Sequence, residues 1–299
     1  MIFNVNELNT WAKGADTDSL ILCLEPILNR MGVLDEPDSV IIEHVRKLQK
    51  GIGDQLNDFQ HTIAKNCFNC KEHYLDLKPE YIIKATYWSG KRRYAQLIVD
   101  REGIPIEEYD IKGIDIYKSN FAPYFKIFGE KLLKDILNGV SKVEIDKDIL
   151  KFKEDMLTVD WRLLIKPSGL KKIGEYIESA PQNGDVFSRL KIKCPSNTKS
   201  AIFTNDLLRY YKLDKQYPCF SIGDKINVVM LKNNPFKIET IGLNGYNDAP
   251  QILKIAEEYI DKDGLFDSII RNKLETIYED LGWSLITNKF ALQFETFEI

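Results

Sequence analysis

Two carboxylates, Asp16 and Asp18, stand two residues apart in the string Asp16-Thr17-Asp18-Ser19. An apolar run, Leu20-Ile21-Leu22-Cys23-Leu24, follows at once. At a tight turn both carboxylates can approach one cation, and hard divalent ions such as Mg2+ prefer oxygen ligands. Phosphoryl and nucleotidyl transfer use such pairs, with two metal ions clamping the attacking and leaving oxygens. The same string also suits a solvated turn. It does not suit an EF-hand loop, which needs oxygens and a glycine where residues 20–24 are apolar.

A second group is cationic. Tyr87-Trp88-Ser89-Gly90-Lys91-Arg92-Arg93-Tyr94-Ala95 sets three consecutive positive charges between aromatics. That is a compact contact for phosphate and sugar, or an ordinary exposed basic hairpin. From Arg189 to Lys199 the chain has four positive charges and no negative one. Such a strip can follow a nucleic-acid backbone or form a solvated face. Cys67-Phe68-Asn69-Cys70 is a CxxC with His61 and His73 nearby. Zinc usually needs a second ligand pair at comparable spacing, which is missing. A reduced thiol pair after a helix is the alternative.

The elements that must position these groups belong to a globular composition: 299 residues, 44% hydrophobic and 29% charged. One large or two smaller domains are expected, and 15 Phe with 14 Tyr supply a sizeable core. The five cysteines are too few and scattered for a disulfide framework. No apolar run approaches the roughly 20 residues of a membrane span. Residues Met1 to Asn6 lack the basic start of a signal peptide. A cytoplasmic protein without a membrane partner is the expectation. A net charge of −4 argues against coating of nucleic acid by the whole surface. It leaves room for a local groove, because phosphate contacts depend on where Lys and Arg sit.

Residues 7–24 read as turn and strand. Ile41, Val45, Leu48, Ile52, Leu56, Phe59 and Ile63 step by three or four, which predicts a helix over 39–66 capped by Asp38 or Ser39. Strands are expected at 80–86 and 94–100. Ser119 should cap a helix to about Asn138, with Phe125, Phe128, Leu132 and Ile136 on one face. Short helices are expected near 146–156 and 169–179, and strands at 224–231 and 236–243 around Asn233-Asn234-Pro235. Asp248 should cap a helix to about Asp261, and another should run from Leu265 to about Gly282. There is no internal repeat or low-complexity segment.

Gly14-Ala15-Asp16-Thr17-Asp18-Ser19 resembles the C motif of family B DNA polymerases, a Tyr-Gly-Asp-Thr-Asp-Ser hairpin that presents metal ligands in the palm. Gly14-Ala15 replaces its Tyr-Gly. Trp88 to Ala95 resembles the Trp-Thr-Gly-Lys-Lys-Arg-Tyr-Ala core of the tailed-phage members, which lines the primer–template minor groove. Gly113 followed by Lys118-Ser119-Asn120 resembles the Lys-Ser-Ser entry from palm to thumb. Lys193-Cys194-Pro195 resembles a thumb motif whose later Tyr-Asn pair is here Thr204-Asn205. Asn233-Asn234-Pro235-Phe236 resembles a thumb Gly-Asn-Pro-Phe turn. Phe294-Glu295-Thr296-Phe297-Glu298-Ile299 resembles the terminal Phe-Asp-Met-Phe-Asp-Phe that holds the sliding clamp. These motifs span nearly the whole chain in the family's order.

The resemblance implies an α+β fold: a partial palm over residues 1–118, a largely helical thumb over 119–285 and a clamp-binding tail over 286–299. It implies Asp16 and Asp18 as catalytic Mg2+ ligands. DNA contacts would fall on Ser19, Lys91, Arg92, Tyr94, Lys118, Lys193 and Lys199, and clamp contacts on Phe294, Phe297 and Ile299. The partners would be primer–template DNA, dNTPs, a sliding clamp and an N-terminal polypeptide. That polypeptide would bring the exonuclease, the fingers and the rest of the palm, since no A-motif string occurs downstream of residue 15. A split enzyme and a truncated product are equally compatible. The alternatives are a non-catalytic DNA-binding accessory protein and a metal-dependent phosphohydrolase, the latter supported only by Asp16 and Asp18.

Overall fold

A computed structural model of the chain describes residues 12–16, 19–72, 74–114, 121–165 and 167–286, with backbone alone for 12–16. The architecture is α+β, with helices and four small antiparallel sheets. No helix among the described residues is long and apolar enough to cross a membrane. The chain divides into two compact units, residues 1–86 with 96–110, and residues 87–95 with 111–299.

The first unit opens with a hairpin, β1 (Ala12–Asp16) and β2 (Ser19–Leu22), followed by a short helix, α1 (Glu25–Arg30). The expected long helix is α2 (Asp38–Phe68). Its N-cap is Pro37, not Asp38 or Ser39. Asp38 instead accepts a hydrogen bond from Lys84 Nζ. The helix ends where Asn69 takes a left-handed φ of 50° and donates its N–H to Ala64. Its apolar stripe explains the core: Val45 packs with Leu28 and Ile82, joined by Ile41, Leu48 and Val99. Phe59 falls off that face and is 62% exposed.

The expected strands are β3 (Tyr81–Gly90) and β4 (Arg93–Arg101), longer than the spacing predicts. A third strand, β5 (Ile104–Lys112), was not anticipated. The sheet order is β3-β4-β5. Pro105 and the pair Glu107-Glu108 argue against a strand, but β5 is an edge, where proline and charge are tolerated. Glu102 and Gly103 join β4 to β5 with φ of 51° and 89°, the two positive values of a tight hairpin turn. The buried Asp100 accepts the Gly103 N–H at 2.9 Å. Arg46 of α2 reaches over, giving its Nε to Asp100 at 3.0 Å and an Nη to the Gly103 carbonyl at 2.8 Å.

In the second unit, α3 (Pro123–Leu137) begins at Pro123, with Ala122 as its N-cap. The cap assigned to Ser119 is therefore corrected: Pro123 fits the first turn because its missing N–H would be unpaired there anyway, and Ser119 itself lies outside the described residues. Phe125, Phe128 and Leu132 are buried as expected, with Leu133 and Leu137. The next helix, α4 (Lys142–Thr158), stacks Phe152 on Phe128 with ring centroids 3.9 Å apart.

The helix expected at 169–179 is not formed. That stretch holds β6 (Pro167–Gly169), a 3-10 turn at Gly174–Tyr176 and β7 (Ile177–Ser179), paired with β8 (Arg189–Leu190). Gly169 and Gly174 weaken a helix by about 1 kcal/mol each, and no long apolar stripe offsets that.

The core of this unit lies where α5 (Ser196–Tyr210) meets a sheet of order β10-β9-β6, built from β9 (Lys225–Met230) and β10 (Thr240–Leu243). β10 is shorter than the expected strand at 236–243. Asn234 takes up the difference: it donates to the carbonyls of Lys232 and Ile238 and accepts from the N–H of Phe236, holding a wide turn. Next comes α6 (Pro250–Tyr259), whose Ile252 and Ile255 face the core. Its N-cap is Ala249; Asp248 instead accepts the N–H groups of Asn244 and Gly245.

The last helix starts as α7 (Lys262–Leu265), loosens to a π turn over Phe266–Arg271 and closes as α8 (Asn272–Asp280). Gly282 ends it with φ of 70°. Tyr278 donates to the fully buried Asp146 at 2.8 Å, and Lys142 meets the other carboxylate oxygen at 2.8 Å. Both oxygens of that carboxylate are thus partnered, as burial requires.

Candidate nucleic-acid interface

The hairpin of β1 and β2 runs in the register Gly14↔Ile21, Ala15↔Leu20 and Asp16↔Ser19. The backbone therefore brings Asp16 to the last pair of the hairpin, against Ser19, with residues 17 and 18 as its connection. Ser19 is exposed. Asp18 and the side chain of Asp16 lie outside what is described. Residue 17 also lies outside it, so the described part of this site is the backbone pairing of Asp16 with Ser19.

The basic turn is built differently from a simple exposed loop. Only Lys91 and Arg92 lie between β3 and β4, and both are exposed, as is Arg93. Arg92 takes a left-handed φ of 60°, uncommon for a residue with a Cβ. Gly113, just past β5, lies directly against this turn. A Cβ on Gly113 would fall 2.2 Å from the Arg92 carbonyl oxygen, and Gly113 itself has φ of 69°. Only glycine fits there, for both reasons.

Side chains alternate along β3 as the pleat demands. Tyr87 turns inward, 5% exposed, and donates its hydroxyl to Asp280 at 2.6 Å. Burial first, and then that carboxylate, hold its phenol protonated far above its ordinary range. Trp88 turns outward and is 37% exposed. Its ring centroid lies 5.2 Å from that of Tyr94 on β4, tilted by 51°. Lys112 on β5 sets its Nζ 5.6 Å from the centre of the same Tyr94 ring. One residue from each strand thus forms a row.

The second basic region keeps three of its four cations at the surface: Arg189, Lys191 and Lys193 are exposed. Lys191 gives its N–H to the Tyr176 carbonyl and accepts the Cys194 N–H, which folds residues 191–194 into a turn with Ile192 fully exposed. Lys199 is half-buried, and its ammonium pairs with Glu239 at 2.6 Å. Burial pushes the Cys194 thiol up, partly opposed by Lys199.

Thr204 and Asn205 are buried. The Thr204 hydroxyl exchanges hydrogen bonds with the N–H and carbonyl of Gly242, and Asn205 does the same with Phe220. Here the pair is a clamp between α5 and its surroundings. An open cleft of about 530 Å³ beside α5 is lined by Ile173, Ile177, Ile202, Phe220 and Ile222 with Asn205 and Arg209, and holds none of the residues nominated as metal, DNA or clamp contacts.

Cys67 and Cys70 are exposed free thiols at the end of α2. His61 stands 3.6 Å from Asp76, and His73 lies outside the described residues. Among the described residues no group of three or more His, Cys, Asp or Glu side chains is placed to hold a metal ion. Lys118, Phe294, Phe297 and Ile299 also lie outside the described residues. Trp88 and Lys112 were not singled out as site residues. Trp88 sits inside the basic motif, but Lys112 carries no signal unless β5 is known to exist. No protein-family model matches the chain, and no curated protein matches it.

Proposed function

We propose that the chain is the C-terminal part of a family B DNA-directed DNA polymerase, with half of the palm carboxylate site and the surfaces that hold the primer strand and the duplex. The observation that supports this reading best is the antiparallel pairing Asp16↔Ser19, which sets the first carboxylate of the Asp-Thr-Asp-Ser string at the end of a hairpin. Asp16 and Asp18 would hold Mg2+, which in such enzymes neutralises charge on the triphosphate and the attacking oxygen. Lys91, Arg92 and Tyr94 would hold the primer strand, and Arg189, Lys191 and Lys193 the product backbone. The tail, with Phe294, Phe297 and Ile299, would dock on a sliding clamp. A polypeptide with exonuclease, fingers and the remaining palm carboxylate would complete the site.

A second reading, a non-catalytic DNA-binding accessory protein, is favoured by one observation. The backbone of the basic turn packs on Gly113 of its own unit, so the turn has a built geometry of its own. Primer extension separates the two. The pure chain should not extend a primer in Mg2+; mixed with the complementing polypeptide it should. Robust extension by the chain alone would refute the divided site. Absence of extension in every mixture, with DNA binding retained, would favour the accessory reading.

A further inference from the structure

The sequence nominates Tyr94 as the aromatic DNA contact, but its ring is already engaged. Trp88 lies against it at 5.2 Å and the Lys112 ammonium sits 5.6 Å from its centre. A ring so flanked is not an open stacking face. The exposed aromatic surface of the row belongs to Trp88, and its exposed cation to Lys112. Indole is a broad stacking partner for a base or a sugar, independent of sequence. A lysine two strands away on the same face can meet a backbone phosphate. The row also stands on a rigid base: Tyr87, next to Trp88, is buried and hydrogen-bonded to Asp280, and Gly113 holds the exit of β5 against the Lys91–Arg92 turn.

We infer that Trp88 and Lys112 form a second nucleic-acid contact beside the Lys91–Arg92 turn. Trp88 stacks on an exposed nucleotide, Lys112 neutralises a phosphate, and Tyr94 positions both. The ligand is a polynucleotide with at least one unpaired or frayed nucleotide, as at a primer–template junction. This rests on the DNA-binding part of the proposed function and extends it to residues on β3 and β5.

The test uses the full chain with a primer–template of unpaired template overhang, and with blunt duplex as comparison. Trp88→Ala should weaken junction binding about 5- to 100-fold, the range for one lost base–aromatic stack, without changing the salt slope. Trp88→Phe should restore most of that affinity. Lys112→Met should lower the slope of log K against log salt by about one unit. The chain has four tryptophans, so the difference in DNA-induced fluorescence quenching between the unaltered chain and Trp88→Phe reports Trp88 alone. This readout holds even if Trp88→Ala fails to fold. Unchanged quenching in Trp88→Phe together with an unchanged slope in Lys112→Met overturns the inference. If Lys91→Ala and Arg92→Ala still weaken binding in that case, the basic turn stands and only the row is wrong. If none of these variants alters binding, the DNA-binding reading itself fails.

Discussion

Replacing Gly113 with alanine perturbs the basic turn without removing any charge. Two costs arise. Gly113 has φ of 69°, and a residue with a Cβ in the left-handed region costs about 1–2 kcal/mol. The new methyl would also begin 2.2 Å from the Arg92 carbonyl oxygen and 3.2 Å from the backbone carbon behind it. Because the obstacle is backbone, the β5 exit or the Lys91–Arg92 turn must move by nearly 1 Å, an overpacking cost of about 1–3 kcal/mol. The sum is about 2–5 kcal/mol. Gly139→Ala is the matched control in the same unit: its φ is 72° and no atom lies within 4 Å of its Cβ position, so it has only the dihedral cost. Urea unfolding of both variants should show Gly113→Ala less stable by the overpacking difference. Its affinity for primer–template should also fall, since the turn that carries Lys91 and Arg92 has shifted, whereas Gly139→Ala should bind normally. Equal stabilities and equal affinities for the two variants would refute the packing of Gly113 on the turn.

Three further outcomes are expected. If the proposed polymerase reading holds, Asp16→Asn or Asp18→Asn in a mixture with the complementing polypeptide should cut turnover by about 10²-fold or more with little change in DNA affinity; near-normal turnover in both would refute the proposed metal site. Asn205→Leu should destabilise the second unit by about 2–5 kcal/mol, because it strands both the N–H and the carbonyl of Phe220 in the interior; a loss under about 1 kcal/mol in urea unfolding would contradict the clamp. Iodoacetamide at neutral pH should label the exposed Cys67 and Cys70 before Cys194 and Cys219, whose thiols are partly buried and shifted up by burial, so that less thiolate is present; mass-spectrometric mapping that finds Cys194 first would contradict this order.

Long-range pairing, more than local propensity, separates the legible parts of the chain from the rest. Helix α2 was readable because its stripe repeats over many turns, and α3 for the same reason. Helix α5 was missed. Its buried face includes Thr198, Ser200, Thr204, Asn205 and Asp206, which look like surface residues until their partners are known. Asp206, for instance, accepts the Ser188 N–H at 2.6 Å. The edge strand β5 was missed because its sequence carries proline and acidic residues that only an edge permits. The segment 169–179 was misread as helix because short windows cannot tell a helical turn from strands that pair with distant partners, here β9 and β8.

The candidate site divides along the same line. The sequence by itself determined which groups are available: the carboxylates Asp16 and Asp18, the cations at 91–93 and 189–199, and the aromatics beside them. Those depend only on residue type and near spacing. Tertiary structure alone decided which of them are exposed and what they touch. It tied Lys199 to Glu239, buried Thr204 and Asn205, engaged the Tyr94 ring, and brought Lys112 and Gly113 to a turn some twenty residues earlier. The physical reason is that hydrogen-bond partners and ring contacts are set by pairing between strands and helices far apart in the chain, and residue spacing carries little trace of that pairing.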